Sequence, residues 1–300
     1  MRITILGMPM DLGSGRRGVD MGPSAIRIAG LSEKLKSIGH IVTDEGDILI
    51  KAPEQQRVKD DKLKYLNEIV RSCNLLSNRI ERILSVKSFP LILGGDHSIA
   101  IGTLAGICNF NKRQNKTVGL IWFDAHGDLN TADTTPSGNI HGMPLAACLG
   151  QGSKYLTSVG GEFQKIHPKN VVMIGIRELD EGEKKLIKKL GITIFTMEDI
   201  DKEGMGSIVK KSLKKLKHVD HLHVSLDLDA LDPTFAPGVG TPVKGGLDYR
   251  EAHLFMESLF DSGKLSSLEV VEENPILDIK NQTAELAVDL ILSSFGKKII

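Results

Sequence analysis

The sequence predicts an α/β protein in which a mainly parallel sheet is covered by helices. Short apolar, β-branched runs alternate along the chain with longer stretches whose apolar residues recur at helical spacing. The strand-like runs are apolar throughout, which is typical of parallel strands buried on both faces. The 300 residues contain no linker, repeat or low-complexity segment, so we expect one domain over residues 1–300.

Eight runs are predicted strands: residues 3–6, 40–43, 90–93, 119–123, 171–175, 193–195, 222–226 and 267–271. Six stretches are predicted helices: residues 24–37, 60–86, 181–190, 208–216, 249–260 and 282–293. The first helix follows Pro23, a residue favoured in the first turn of a helix. The second carries Leu66, Ile69, Ile80 and other apolar residues at helical spacing. Eight strands also permit a (β/α)₈ barrel, which the pattern alone does not distinguish from an open sheet.

Composition excludes several functional classes. Lys plus Arg and Asp plus Glu are balanced at 38 each, so no overall charge draws the chain to nucleic acid or anionic lipid. Cys73, Cys108 and Cys148 are far apart in sequence, which favours buried thiols in a reducing compartment. Gly7 and Pro9 interrupt the apolar N-terminal run, unlike a signal peptide, and no run is long enough for a membrane helix. We therefore expect a cytoplasmic protein that binds neither nucleic acid nor a membrane.

Two clusters of acidic residues and histidine follow predicted strands and indicate a metal site. Asp124, His126 and Asp128 follow the run at 119–123, and Asp227 and Asp229 follow the run at 222–226. Residues two apart in an extended strand point to the same side, so the members of each cluster can converge. Carboxylates that face one point repel one another strongly unless a cation lies between them. A pair of divalent cations would resolve this conflict.

Two further polar segments, residues 94–98 and 272–275, also follow predicted strands. The carboxyl ends of parallel strands meet at one edge, so all four clusters are expected together. A lone aspartate at a strand end is most often a turn or cap residue. The evidence for a metal site is therefore that all four clusters follow predicted strands. His221 and His223 lie at the other end of their strand and are not expected to be ligands. The remaining histidines without acidic neighbours at ligand spacing are treated as surface or packing residues: His40, His167, His218 and His253.

The clusters together resemble the signature segments of the ureohydrolases, and of the arginase family in particular. These segments are GGDHS (94–98), DAHGDLN (124–130), SGNIHGMP (137–144), SLDLDALDP (225–233) and EENP (272–275). The resemblance extends to residues 18–27, 174–183 and 240–251, in collinear order along nearly the whole chain. It implies a three-layer α/β/α sandwich with a mainly parallel eight-stranded sheet. We prefer this fold to the barrel on that ground alone.

The resemblance also implies a cofactor of two Mn²⁺ per chain and an activity. The implied metal ligands are His97, Asp124, His126, Asp128, Asp227 and Asp229, with Asp124 and Asp227 bridging the two ions. Four carboxylates and two imidazoles without a thiolate independently suit Mn²⁺ better than structural zinc. The implied reaction is hydrolysis of L-arginine to L-ornithine and urea by a metal-bridging hydroxide.

Roles for further residues follow from the same resemblance. Asp128 would help to move a proton to the leaving amine, Glu272 would hold the guanidinium, and His141 would exchange protons with solvent. The residues implied at the amino-acid end of the substrate are Asn130, Ser137 and Asn139 for the α-carboxylate, Asp180 and Glu183 for the α-amino group, and Thr241. One departure stands out: Glu273 occupies a position where relatives are expected to have valine, and strand alternation would point it away from Glu272.

The sequence alone leaves three other functions open. One is agmatinase or another amidinohydrolase, whose substrate has a different amino-acid end. Another is a non-catalytic homologue that binds metal or ligand as a regulator, although every implied ligand position is filled. A two-metal phosphohydrolase also fits the chemistry, but no basic phosphate clamp accompanies the motifs. Because family members assemble as trimers or hexamers, we expect a homo-oligomer.

Overall fold

The structure is a computed structural model and describes residues 1–298. Its strands are β1 (Arg2–Met8), β2 (Ile41–Asp47), β3 (Phe89–Gly94), β4 (Val118–Phe123), β5 (Val171–Ile176), β6 (Thr193–Thr196), β7 (His221–Asp227) and β8 (Leu265–Val271). They form one parallel sheet in the order β2-β1-β3-β8-β7-β4-β5-β6. Each predicted strand is present. Because β2 and β6 are edge strands of an open sheet, the predicted sandwich is confirmed and the barrel is excluded.

The α-helices are α1 (Gly22–Ile28), α2 (Leu31–Ser37), α3 (Leu66–Ser85), α4 (Ala100–Lys112), α5 (Pro144–Cys148), α6 (Lys154–Thr157), α7 (Glu181–Leu190), α8 (Met197–Glu203), α9 (Met205–Lys215), α10 (Tyr249–Ser262) and α11 (Gln282–Ser294). None of the helices in this part of the chain combines the length and the apolar character that crossing a bilayer requires.

Two apolar cores, one on each face of the sheet, join the three layers. Ile121 and Phe123 of β4 point into a core shared with α1, α2 and α8 to α11. Leu120 and Trp122 of the same strand point into the opposite core, shared with α3 to α7. Successive side chains of a strand alternate between faces, so a strand covered on both sides must be apolar throughout. This is why the continuous apolar runs were good predictors of the strands.

The helix predictions differ from the structure at several places. The helix predicted at 24–37 is interrupted by Gly30, which has a φ of 85° and starts α2. Glycine adopts this left-handed conformation without the steric cost that a side chain imposes. The helix predicted at 60–86 begins only at Leu66, because Tyr65 before it has a φ of 53°. The predicted helices also omit the short α5, α6 and α8. They omit α4 as well, which is buried nearly all round and therefore lacks a polar face to give the pattern its period.

Close packing explains why α4 contains two glycines despite their low helix propensity. A Cβ at Gly102 would lie 2.6 Å from the carbonyl oxygen of Cys73, and one at Gly106 would lie 2.5 Å from that of Ser77. Both carbonyls belong to α3, so the backbones of the two helices approach more closely than side chains would allow. Glycine costs about 1 kcal/mol relative to alanine inside a helix. Here the tight contact between α3 and α4 requires it.

Candidate active site

The four polar clusters meet at the carboxyl edge of the sheet centre. The strands that they follow, β3, β8, β7 and β4, are consecutive neighbours in the sheet. His97 follows β3, Asp124 follows β4, Asp227 ends β7 and Glu272 follows β8. The position at strand ends predicted from sequence therefore becomes one compact site.

A first group of possible metal ligands is centred on His97. Its Nδ1 lies 3.0–3.2 Å from one carboxylate oxygen of each of three aspartates: Asp124, Asp128 and Asp227. All four side chains are buried. The His97 ring stacks on Trp122 with centroids 4.1 Å apart, and the Trp122 indole donates a 2.8 Å hydrogen bond to Asp124. The core thus holds both the imidazole and the carboxylate in fixed orientations.

A second group adjoins the first through Asp124. His126 Nδ1 lies 3.5 Å from Asp124 Oδ1 and 3.0 Å from Asp229 Oδ2. Thr241 donates a 3.1 Å hydrogen bond to Asp229, and the backbone N–H of Ala125 donates another at 3.2 Å. Asp124 therefore faces both histidines, one with each carboxylate oxygen.

Crowding of like charges is visible in the pKa values at this site. Burial, followed by the charges of Asp229 and Asp124, raises the pKa of Asp227 well above its ordinary value. Burial alone would lower the pKa of His97, but the facing carboxylates raise it well above its ordinary value. The pKa of His126 is raised in the same way, chiefly by Asp229 against the effect of burial. Asp227 thus needs positive charge nearby to stay ionised, which divalent cations provide.

The donor set fits a metal centre in a second respect. His97 Nδ1 is buried and has no hydrogen-bond partner of suitable geometry within residues 1–298. Nδ1 lies 3.0–3.2 Å from the carboxylate oxygens with which it would share an ion. The Nδ1 and carboxylate oxygens of His97, Asp124 and Asp227, and likewise those of Asp124, His126 and Asp229, lie within 4.8 Å of one another. Both groups can therefore hold a divalent cation.

Two residues of the site, Asp128 and Glu272, have a strained backbone conformation. Asp128 has a φ of 51° and Glu272 has a φ of 66°, in the left-handed region that residues with a side chain seldom adopt. Such strain costs about 1–3 kcal/mol and persists where surrounding contacts hold the residue in place. Asp128 is held through its carbonyl, which accepts from the N–H groups of Leu145 and Ala146. Glu272 is held by its backbone N–H, which donates a 2.8 Å hydrogen bond to the carbonyl of Gly95.

Glu272 joins the metal-ligand group to His141. Its Oε1 accepts a 2.9 Å hydrogen bond from the backbone N–H of His97 and lies 3.1 Å from His141 Nδ1. Its Oε2 is buried and has no hydrogen-bond partner among the described residues. Burial opposes the charging of His141, but Glu272 raises the pKa of that imidazole to about 9. The pair thus leaves one carboxylate oxygen of Glu272 available for a cationic ligand.

The other end of the site is built around the start of α7. Asp180 and Glu183 form a capping box, in which each side chain accepts from the backbone N–H of the other. The second oxygen of Asp180 accepts a 2.7 Å hydrogen bond from the Asn130 amide, and Leu129 N–H donates to Glu183. Burial raises the pKa of Glu183 to about 7. Helix capping therefore already uses part of the hydrogen-bonding capacity of these carboxylates.

An open cavity of about 310 Å³ connects these parts of the site. Of the residues predicted from sequence, its walls contain His97, His126, Asp128, Asn130, His141, Asp180, Glu183, Asp227, Asp229, Thr241 and Glu272. Asp124 is completely buried beneath it. Ser137 and Asn139 are outside this set: Ser137 is exposed and accepts from Asn139 N–H, while Lys64 donates to the Asn139 amide oxygen.

Sequence reasoning gave no role to four wall residues: Pro136, Gly142, Glu178 and Leu179. Glu178 and Leu179 begin two residues after the end of β5, close to a strand end like the clusters that were recognised. The strand-end rule could have identified them, but a single acidic residue without a histidine nearby gives a weak signal.

Comparison with known proteins agrees with this geometry. The model of the Arginase family matches residues 1–296. The arginase of Bacillus subtilis strain 168 is 53% identical over 299 residues, which cover 99% of each chain. The crystal structure of arginase from Bacillus cereus superposes with a TM-score of 0.95 at 51% identity and covers 100% of both chains. The crystal structure of Entamoeba histolytica arginase in complex with L-ornithine has a TM-score of 0.91 at 35% identity, covering 99% of this chain and 100% of the other. With this agreement over nearly its full length, the chain belongs to the arginase family.

Proposed function

We propose that this protein is a manganese-dependent arginase that hydrolyses L-arginine to L-ornithine and urea. The observation that carries the proposal is the buried contact of His97 Nδ1 with three aspartate oxygens at 3.0–3.2 Å. A second imidazole, His126, adjoins the same carboxylates and no thiolate takes part. Such a donor set suits a hard divalent cation. Membership of the arginase family supports the reaction.

The residues would hold two Mn²⁺ in two overlapping sets. One set is His97, Asp124, Asp128 and Asp227, and the other is Asp124, His126, Asp227 and Asp229. Divalent ions held by these residues would lower the pKa of bound water and so would supply a nucleophile near neutral pH. The aspartates are buried and hydrogen-bonded to backbone N–H groups, which keeps their oxygens oriented before a metal arrives.

Glu272 is proposed to bind the guanidinium of the substrate. Its Oε2 is buried without a partner among the described residues, and a carboxylate is the natural acceptor for the parallel N–H groups of a guanidinium. Its Oε1 is fixed by the His97 backbone, so the carboxylate cannot rotate freely. This fixed orientation would hold the guanidinium carbon over the metal-binding carboxylates, which lowers the entropic cost of reaction.

His141 and Asp128 are proposed to handle protons. With its pKa raised to about 9, His141 carries a proton at neutral pH while it is paired with Glu272. It lies in the cavity wall outside the two ligand groups, so its proton can pass between solvent and the departing amine. Asp128 also lines the cavity and is proposed to assist transfer to the leaving amine.

The amino-acid end of the cavity favours arginine over agmatine, which lacks the α-carboxylate. We propose that Asn130, Ser137 and Asn139 bind that carboxylate directly or through water, and that Asp180 and Glu183 bind the α-ammonium. Amide and hydroxyl groups donate to carboxylates, whereas carboxylates accept from ammonium groups. A site with polar groups prepared for an absent partner rejects the truncated ligand strongly. We also propose that Thr241 contributes to substrate binding, because it lines the cavity and donates a hydrogen bond to Asp229.

The decisive experiment measures urea release after manganese loading, with L-arginine and agmatine compared side by side. We expect a large preference for arginine. Equal turnover of the two would remove arginase as the function, and metal analysis that found one manganese or none per chain would refute the two-ion site. Ser137→Ala should weaken apparent affinity for arginine, whereas an unchanged affinity would mean that Ser137 serves only the turn.

We further propose that the protein works in the cytosol as a homo-oligomer, a trimer or a hexamer. The three cysteines are unpaired and buried, which supports a reducing compartment. Exposed apolar residues such as Ile276 (63% exposed) and Ile279 (59%) support association. Light scattering after size-exclusion chromatography measures the oligomer mass, and a monomer would refute this proposal.

A further inference from the structure

A chain of buried polar side chains runs from His97 away from the cavity and into the sheet. His97 Nε2 lies 2.8 Å from Ser225 Oγ, and that hydroxyl donates a 2.6 Å hydrogen bond to Glu269 Oε1. Ser225 of β7 and Glu269 of β8 pair across the two strands, and both are fully buried. Burying a carboxylate in the centre of a sheet costs folding free energy, so such a residue is expected to have a specific role.

The direction of the hydrogen bonds in this chain is determined by chemistry. An ionised carboxylate only accepts, so the single hydroxyl hydrogen of Ser225 must point to Glu269. Ser225 then offers only a lone pair to His97, which means that His97 Nε2 must carry a hydrogen and donate it. The pKa of Glu269 lies below its ordinary value, because His223 and the Ser225 hydrogen bond outweigh the effect of burial, and this supports its ionised state.

Fixing the hydrogen on Nε2 has a consequence on the other side of the imidazole ring. Nδ1 becomes the only His97 nitrogen with a lone pair to offer, and it is the nitrogen that faces the carboxylates of Asp124 and Asp227. Glu269 thereby fixes which nitrogen of His97 can bind a metal ion, and it does so from the side of the ring opposite the carboxylates. Glu269 itself belongs neither to the cavity wall nor to either ligand group.

We propose that Glu269 is a positioning residue that acts through Ser225 to keep Nδ1 of His97 as the metal-binding nitrogen. This inference rests on the proposed function, in which His97 is a manganese ligand. It adds to the site a residue, Glu269, that acts through Ser225 and touches no metal-ligand candidate itself. The role requires a carboxylate and not merely a polar group of the same size.

The variant Glu269→Gln separates these requirements. Its amide has nearly the same shape but can donate, so the Ser225 hydroxyl is free to turn toward His97 Nε2. The imidazole hydrogen then moves to Nδ1, where it blocks a metal ion. Loss of partners that orient metal ligands typically weakens metal binding about tenfold to hundredfold.

The experiment titrates metal-free protein with Mn²⁺ in competition with a chelating indicator. We expect Glu269→Gln to bind manganese at least about tenfold more weakly than the wild type, while the KM for arginine at saturating manganese stays unchanged. Glu273→Gln is the matched control, because it makes the same change at another fully buried glutamate, and it should keep the wild-type affinity. Circular dichroism checks that each variant is folded.

A double-mutant cycle tests the route through Ser225. Ser225→Ala should weaken manganese binding, and adding Glu269→Gln to it should cause no further loss, because the connection is already broken. If Glu269→Gln fails to fold, Ser225→Ala alone carries the test. Wild-type affinity in Glu269→Gln, or in Ser225→Ala, would overturn the inference and leave the proposed function intact. Failure of the wild type to bind manganese would overturn both.

Discussion

Glu273 is a buried carboxyl group that should make the stability of this protein depend on pH. It is fully buried, and neither of its oxygens has a conventional donor among the described residues. Its neighbour Asp278 accepts hydrogen bonds from the N–H and hydroxyl groups of Thr283 at 2.9 and 2.8 Å. The Asp278 carboxylate therefore has its own donors in Thr283, and no donor reaches Glu273 among the described residues. Burial and then Asp278 raise the pKa of Glu273 from 4.5 to about 9.

The sign of the effect follows from proton binding. Between the two pKa values the folded state holds a proton on Glu273 that the unfolded state has released, so rising pH destabilises the folded state. Each unit of pKa difference corresponds to about 1.4 kcal/mol. The cost is absent below the unfolded value of 4.5. It amounts to about 3 kcal/mol at pH 7 and about 6 kcal/mol by pH 9.

Glu273→Gln should therefore stabilise the manganese-loaded protein increasingly as pH rises. We expect the wild type and the variant to have similar free energies of unfolding at pH 5, and the variant to be more stable by about 3 kcal/mol at pH 7. In a thermal scan this corresponds to an increase in Tm of roughly 5–10 °C. Urea unfolding from pH 5 to pH 9 measures the difference directly. Glu285→Gln, the same change at an exposed position of α11, is the control. A stability difference that stays constant across this pH range would refute the reasoning.

Four further predictions concern the active site. Asp124→Ala should abolish activity and weaken the binding of both manganese ions, whereas His97→Ala should mainly weaken one; elemental analysis distinguishes these outcomes, and two retained ions in the Asp124 variant would contradict a bridging role. Glu272→Gln should raise KM and lower kcat together, because the guanidinium loses its acceptor; a mild effect would shift the assignment to another residue. His141→Asn should keep both ions but lose about 10²–10⁴-fold in kcat, with partial rescue by added imidazole; loss of metal would instead make His141 a ligand. Asp180→Asn should raise KM for arginine more than it changes kcat, and unchanged kinetics would leave Asp180 only as the cap of α7.

The sequence was sufficient for features that depend on local pattern. The strands were predicted because each is covered on both faces and is therefore apolar along its length. The candidate ligands were found because Asp124 and Asp227 stand directly at strand ends, where position in sequence determines position at the sheet edge. The side chain of Glu273 lies outside the cavity wall that contains Glu272. Both residues follow the end of β8, and Glu272 has a left-handed φ of 66°, so strand alternation does not explain this difference.

Contacts between distant parts of the chain could not be predicted from the sequence. The helix α4 lacks a periodic pattern because burial on all sides removes the polar face that would reveal it. The pair of Ser225 and Glu269 depends on the register between β7 and β8, and 44 residues separate them in sequence. In the sequence, Glu269 lies in the middle of the predicted strand at 267–271, and its local pattern gives no sign of a partner. Only the register shows that it stands behind a metal-ligand candidate.

The pKa of His141 depends on a distant contact of the same kind and changes how its role is understood. An isolated imidazole titrates near pH 6.5, which suggests ready exchange with solvent. In the structure Glu272, 131 residues away, raises the pKa of His141 to about 9, so the imidazole holds its proton at neutral pH. A guanidinium that binds to Glu272 would neutralise the charge responsible for that increase. The pKa of His141 would then fall when substrate is in place, and its proton would become available at the moment the departing amine requires one.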